Sequence, residues 1–77
     1  MTSMSPGEYG GDDRLRPLIY RARGEYLEMP GLRLTVAQAA RLWALDPLMS
    51  AQVLDDLART GFLVRSRDGA YLRPSVA

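Results

Sequence analysis

Two helix-start signals lie close together in the middle of the chain, and they constrain the fold more than any other feature. The first is Thr35 with Gln38 three positions later, a pattern in which each side chain caps the backbone of the other residue. The second is Asp46, which is predicted to cap a helix, followed by Pro47, which is predicted at the first helical position. Gly61 then provides a left-handed stop. The chain must therefore turn sharply between two short helices, predicted at residues 36–44 and 47–60.

Apolar residues recur at helical spacing in both segments, so each helix is predicted to have one inward face. The inward face of the first helix consists of Val36, Ala39, Ala40 and Trp43. The inward face of the second helix consists of Ser50, Val53, Leu54 and Leu57. Because Ala39 and Ala40 are small, the second helix is able to approach closely at a steep angle. The residues expected in the core are Ile19, Ala40, Trp43, Leu45, Leu54, Leu57 and Leu63.

The flanking segments add one helix and three short strands. Three- and four-residue apolar spacing predicts a helix at residues 17–28, and β-prone segments predict strands at 32–34, 62–66 and 70–73. Asp68-Gly69 is a strong signal for a two-residue hairpin turn, which would place Arg67 opposite Ala70 and Arg65 opposite Leu72. The expected fold class is α+β, in the order helix, strand, helix, helix, strand, strand.

Composition excludes several kinds of chemistry. The chain has 77 residues, enough for one small domain, and contains neither histidine nor cysteine. It therefore lacks an imidazole base, a thiolate nucleophile, a disulfide and the usual ligands of zinc. Glu25 and Glu28 lie one helical turn apart, but no base, nucleophile or metal ligand accompanies them. We expect neither enzymatic activity nor a metal or cofactor.

The ends of the chain differ in composition from its middle. Residues 1–13 combine Ser, Gly and Pro with two adjacent acids, and they lack the charged start and apolar stretch of a secretory signal. We expect a flexible leader at 1–13 whose deletion changes the melting temperature little, a folded domain at 14–74 and a short tail at 75–77. No segment approaches the ~18 apolar residues of a membrane span, so a cytoplasmic protein without a membrane partner is expected.

The helix pair, its leucine seam and the hairpin follow one another without a gap. The matching pieces are Thr35–Asp46, Leu54 with Leu57, Gly61-Phe62-Leu63 and Asp68-Gly69. This arrangement, from Leu32 to Arg73, resembles the winged helix-turn-helix family of bacterial regulators. The segments Met29–Thr35 and Gln38–Leu42 are also similar to segments of small bacterial proteins of this kind. The resemblance implies that the protein binds double-stranded DNA and regulates transcription, with helix 47–60 as the recognition helix and hairpin 62–73 as the wing.

On this resemblance, the recognition helix would lie in the major groove. The residues implied to contact DNA are Met49, Ala51, Gln52, Asp55 and Arg59 on the helix, and Arg65 and Arg67 on the wing. Gln52 is the best base reader, because its amide pairs in bidentate fashion with adenine. Asp55 and Asp56 argue against tight binding because they place negative charge near phosphates, although Asp also accepts from a cytosine amine. The formal net charge of +1 does not by itself mark a nucleic-acid binder.

A second interpretation stays open at this point, in which the domain contacts protein and not DNA. It would act as a dimerisation or adaptor module through exposed apolar side chains. The candidate interface residues are Leu48, Met49, Tyr20 and Tyr26. The two tyrosines are equally compatible with positions in the core. Positive charge running from the first helix across the wing would favour DNA, and a neutral recognition helix with an apolar centre would favour a protein partner.

Overall fold

The computed structural model describes residues 14–74, and the predicted leader and tail lie outside this range. These residues form three helices and a three-stranded antiparallel sheet, which confirms the α+β class and the order of elements expected of a winged helix-turn-helix. The elements are α1 (Leu15–Glu28), β1 (Arg33–Leu34), α2 (Val36–Trp43), α3 (Pro47–Arg59), β2 (Val64–Arg65) and β3 (Tyr71–Leu72). The helices lie within two residues of the predicted bounds, whereas each strand is shorter than predicted.

The connection between α2 and α3 is as tight as the start signals require. The Gln38 N–H donates to the Thr35 hydroxyl at 3.2 Å, and the Thr35 N–H donates to the Gln38 side-chain oxygen at 2.9 Å, which confirms the capping box. Ala44 then takes a left-handed conformation with φ of 54°, which turns the chain toward α3. Asp46 occupies the cap position as predicted, but its side chain makes no capping hydrogen bond. Since Pro47 has no N–H, one fewer donor needs a cap there.

The sheet has the strand order β1-β3-β2, with all neighbours antiparallel. The predicted two-residue turn is wrong by one position. Arg65 lies opposite Tyr71, and the Ser66 N–H donates to the Ala70 carbonyl at 2.8 Å, so three residues form the connection. The Gly69 N–H donates to the Ser66 carbonyl at 3.0 Å, and Gly69 has a φ of 87°. This is a turn followed by a left-handed residue, the usual form of a three-residue hairpin loop.

The core lies where α1 and α2 pack on α3 and on one face of the sheet. Its buried residues are Ala22, Tyr26, Leu34, Ala39, Trp43, Val53, Leu54, Leu57, Leu63 and Tyr71. The predicted inward face of α3 is confirmed, because Ser50, Val53, Leu54 and Leu57 are all buried. Within residues 14–74 the Ser50 hydroxyl and the Trp43 indole N–H are buried without a hydrogen-bond partner, which costs roughly 1–3 kcal/mol for each group.

Three of the seven predicted core residues are only half-buried: Ile19, Ala40 and Leu45. Ile19 lines an open groove of about 660 Å³ between α1 and the end of α3. Ala40 and Leu45 line a shallower depression with Val36 and Pro47. The helical periodicity gave the correct side of each helix, but these residues lie at the margin of the packed face, where none of the elements within residues 14–74 covers them fully.

None of the helices in residues 14–74 has the length and apolar character that crossing a bilayer requires.

Candidate nucleic-acid interface

The outer side of α3 presents a row of exposed side chains at three- and four-residue intervals. The row consists of Leu48, Gln52, Asp55 and Arg59. Met49 and Ala51, which were predicted to face bases, are half-buried and border this row. The helix therefore displays an amide, a carboxylate and a guanidinium on one line, with an apolar residue at its amino-terminal end. We call these four exposed residues the α3 row.

The wing places its two arginines differently. Arg65 is exposed and lies directly opposite Tyr71, so the two side chains emerge on the same face of the sheet. Its guanidinium carbon is 5.9 Å from the centre of the Tyr71 ring. Arg67 is exposed in the hairpin turn, beyond the last strand pair. Arg65 thus lies beside a packed residue, whereas Arg67 extends from the tip of the hairpin.

Tyr71 connects the wing to both other layers of the protein. Its backbone carbonyl accepts a hydrogen bond of 2.7 Å from the hydroxyl of Tyr26 on α1. Its own hydroxyl donates to Oδ1 of Asp55 on α3, at 2.6 Å. The ring itself is buried, with 4% of its surface exposed. Asp55 of the α3 row and Arg65 therefore both lie against one residue of β3.

Both tyrosine hydroxyls stay protonated at neutral pH, so each one donates the hydrogen bond described above. Burial raises the pKa of Tyr26 from 10.0 to about 12. Burial also raises the pKa of Tyr71, and its hydrogen bond to the Asp55 carboxylate raises it further. A protonated phenol beside a carboxylate is the charge-assisted arrangement that makes a short, strong hydrogen bond. Tyr71 therefore restrains the Asp55 side chain on the surface of α3.

Both acids that argue against DNA binding have partners. The Asp56 carboxylate accepts from the Arg59 guanidinium at 2.9 Å, and Asp55 accepts from Tyr71 as described. The first pair is exposed on the arginine side and contributes little to stability. The Arg59 guanidinium nevertheless lies close to the Asp56 carboxylate. Asp55 and Asp56 together therefore repel phosphates less than their formal charges imply.

The described region is more basic than the chain as a whole. All ten arginines but only six of the nine acids lie between residues 14 and 74, which gives this region a formal charge of +4. Arg23 of α1 and Arg73 after β3 approach the same ring, with guanidinium carbons 5.1 Å and 4.0 Å from the centre of Phe62. Positive charge is therefore present on α1, at the base of the hairpin and along the wing.

At the wing tip, a polar cluster fixes the shape of the turn. Arg33 of β1 donates to both carboxylate oxygens of Asp68, at 3.0 and 3.2 Å. The Ser66 hydroxyl also donates to Asp68, and so does the Ala70 N–H. The Ser66 hydrogen bond is the main cause that lowers the pKa of Asp68, and the Ala70 N–H adds to it. Asp68 thus stays ionised and organises the loop that carries Arg67.

The candidate protein-interface residues separate into two groups. Tyr26 was a candidate contact residue, and this is corrected: its side chain is fully buried, because its ring fills the core and its hydroxyl reaches the sheet. Tyr20 and Leu48 are 65% and 66% exposed. They lie on different helices, and Met49 beside Leu48 is half-buried. The exposed candidates therefore belong to separate sites on the surface.

Sequence reasoning did not find Tyr71, Arg33 or Asp68 as parts of the site. The Tyr71 role was hidden by the one-residue error in register, which paired Arg65 with Leu72 in place of Tyr71. An aromatic residue two positions after Gly69 was a visible signal for a packed strand residue. The pairing of Arg33 with Asp68 joins residues distant in sequence, and no local pattern reports it.

Chemically, this surface carries charged and hydrogen-bonding groups that are suited to binding. Within residues 14–74 there is no group of three or more His, Cys, Asp or Glu residues that could hold a metal ion. The surface offers guanidinium groups for phosphates, and one amide and one carboxylate at the spacing of a helical turn. Comparison of the chain with family models, with curated proteins and with solved structures finds no match in any of the three.

Proposed function

We propose that this protein binds double-stranded DNA as a transcriptional regulator, with α3 in the major groove and the wing against the phosphate backbone. The observation that carries the proposal is the hydrogen bond from the Tyr71 hydroxyl to Asp55. This bond joins the wing to the exposed side of α3, so Arg65 and the α3 row form one surface. A helix that reads bases needs phosphate contacts at a fixed distance to set its register.

The charge of the folded region supports the same proposal. Phosphate contacts dominate the affinity of proteins for DNA, and they require arginines that reach the backbone. Arg65 and Arg67 are exposed on the wing, and Arg59 is exposed near the end of α3. The formal charge of +4 between residues 14 and 74 favours approach to a polyanion. We expect modest affinity with strong dependence on salt.

The test is a titration of a labelled duplex of mixed sequence at low ionic strength, repeated at increasing salt. Arg65→Ala and Arg67→Ala should weaken binding to all sequences, and each should reduce the slope of log K against log salt by up to ~1. Arg21→Ala on α1 is the matched control, because it removes the same charge from another exposed position. Absence of binding to any duplex at low ionic strength would refute the proposal.

Contact with protein is the second candidate function, favoured by the exposure of Leu48 at the start of α3. A large apolar side chain at this position would lie at the centre of a small contact patch with Met49 and Ala51. Light scattering gives the mass of the free protein, and Leu48→Glu should reduce a dimer to a monomer, because a charge would be placed in a dry contact. A monomeric wild type that keeps its binding partners after Leu48→Glu would contradict this candidate.

A further inference from the structure

Asp55 is an unusual residue for the exposed side of a helix proposed to enter DNA. Its carboxylate is repelled by phosphates, yet its side chain is held in place by the short bond from Tyr71. Within residues 14–74, the hydrogen bond to Asp55 engages Oδ1 and none engages Oδ2. One oxygen therefore fixes the side chain, and the other is available to a donor from outside the protein.

The chemistry of a carboxylate limits which donor this is. An ionised carboxylate only accepts hydrogen bonds. In the major groove, guanine and thymine present acceptors, and adenine presents its N6 amine beside the N7 acceptor, a pattern that suits an amide side chain. Cytosine presents the N4 amine, the base-edge donor with which Asp and Glu pair. Gln52, one helical turn before Asp55, carries both a donor and an acceptor. The two residues therefore have different requirements for the base pairs that they face.

Resting on the proposed function, we infer that Asp55 is a specificity-determining residue that accepts a hydrogen bond from a cytosine amine, and that Tyr71 is its positioning residue. The Tyr71 ring is buried and its backbone carbonyl is bound to Tyr26, so the hydroxyl that holds Asp55 is itself fixed. A side chain restrained before binding loses less rotational freedom when the complex forms. The Asp55 carboxylate thus lowers the affinity for DNA of any sequence, and it favours cytosine over the other bases.

The test begins with selection of preferred sites from random duplexes by the wild-type protein, followed by affinities for sites that differ at single base pairs. The wild type should prefer cytosine at one position by roughly 5- to 150-fold, as expected for a good base contact. Asp55→Asn should lose this preference while binding duplexes in general more tightly. Asp56→Asn is the matched control, because it removes the same charge but should leave every base preference unchanged.

Tyr71→Phe separates positioning from simple structural support. It should reduce the cytosine preference at the same position and leave preferences elsewhere intact, and it should have no further effect on that preference when combined with Asp55→Asn. Thermal melting confirms that the variants are folded at the temperature of the assay. If Asp55→Asn keeps every base preference of the wild type, the inference is overturned while the proposed function stands. If the wild type binds no duplex at low ionic strength, the proposed function fails and the inference fails with it.

Discussion

The base and the tip of the wing are held by different kinds of interaction. At the base, buried Tyr71 receives one hydrogen bond from α1 and donates another to α3. At the tip, Asp68 is held by Arg33 and Ser66, and the side chains of the ion pair are 50% and 67% exposed. The bond from Tyr26 is buried and resists competition from solvent, and the bond to Asp55 is partly buried, whereas exposed ion pairs contribute little. Arg65 therefore lies beside a buried residue, whereas Arg67 is carried by a loop that exposed polar contacts hold in shape.

The largest expected effect comes from removing the ring at the base. Tyr71→Ala should lower the free energy of unfolding by about 3–5 kcal/mol, because it leaves a cavity in the core and removes the hydroxyl that is bonded to Asp55. Urea denaturation measures the change. Tyr20→Ala, at an exposed position on α1, is the control and should change stability by less than about 1 kcal/mol. Equal losses in the two variants would show that the base of the wing is not packed as described.

High pH should weaken the base of the wing and not its tip. Because folding raises the pKa of Tyr26 from 10.0 to about 12, its contribution is complete below pH 10 and is lost as pH rises through about 12. Tyr71 acts in the same direction, since its pKa is also raised. We expect the free energy of unfolding to fall by on the order of 2 kcal/mol over this interval. Denaturation curves at several pH values test this, and Tyr26→Phe should remove its share of the dependence.

Removing only the hydroxyl of Tyr26 should have a smaller effect. Tyr26→Phe leaves the Tyr71 carbonyl without its donor in the core, which costs roughly 1–2 kcal/mol. Tyr20→Phe deletes an exposed hydroxyl and should change stability by a few tenths of a kcal/mol. Chemical denaturation of both variants gives the comparison. A Tyr26→Phe protein as stable as Tyr20→Phe would mean that the bond between α1 and β3 contributes nothing.

The smallest expected effect is at the tip. Arg33→Gln removes the ion pair with Asp68 and should cost less than about 1 kcal/mol, a difference that decreases further at high salt. The loop should keep its shape, because Ser66 and the Ala70 N–H still bind the Asp68 carboxylate. Denaturation at low and high ionic strength measures both quantities. A loss comparable with that of Tyr71→Ala would show that the tip, and not the base, holds the wing.

The sequence predicted the elements well because their signals are local. The Thr35–Gln38 capping box, Pro47 at the first position of α3 and left-handed Gly61 each act within a few residues, and all three are present. The hairpin register failed because Asp68-Gly69 is compatible with loops of two or three residues. Hydrogen bonds from the Ser66 hydroxyl and the Ala70 N–H to the Asp68 carboxylate accompany the longer form.

The candidate site was only partly predictable for a related reason. Gln52, Asp55 and Arg65, which the family resemblance implied to contact DNA, are all exposed. The bond between Tyr71 and Asp55 joins residues of different elements, and it depends on a register that the sequence left ambiguous. The burial of Tyr26 likewise depends on how α1 packs against the sheet. Local patterns thus place residues on faces, but they do not say which faces meet.

On the proposed function, the α3 row and the wing form a single DNA-binding surface. Amide NMR spectra of the protein, titrated with a short duplex at low ionic strength, test it most directly. If the two regions act together, the largest shifts should occur at Gln52, Asp55, Arg65 and Arg67, with small shifts around Tyr20 on α1. Shifts concentrated on α1, or shifts on α3 without any on the wing, would contradict it.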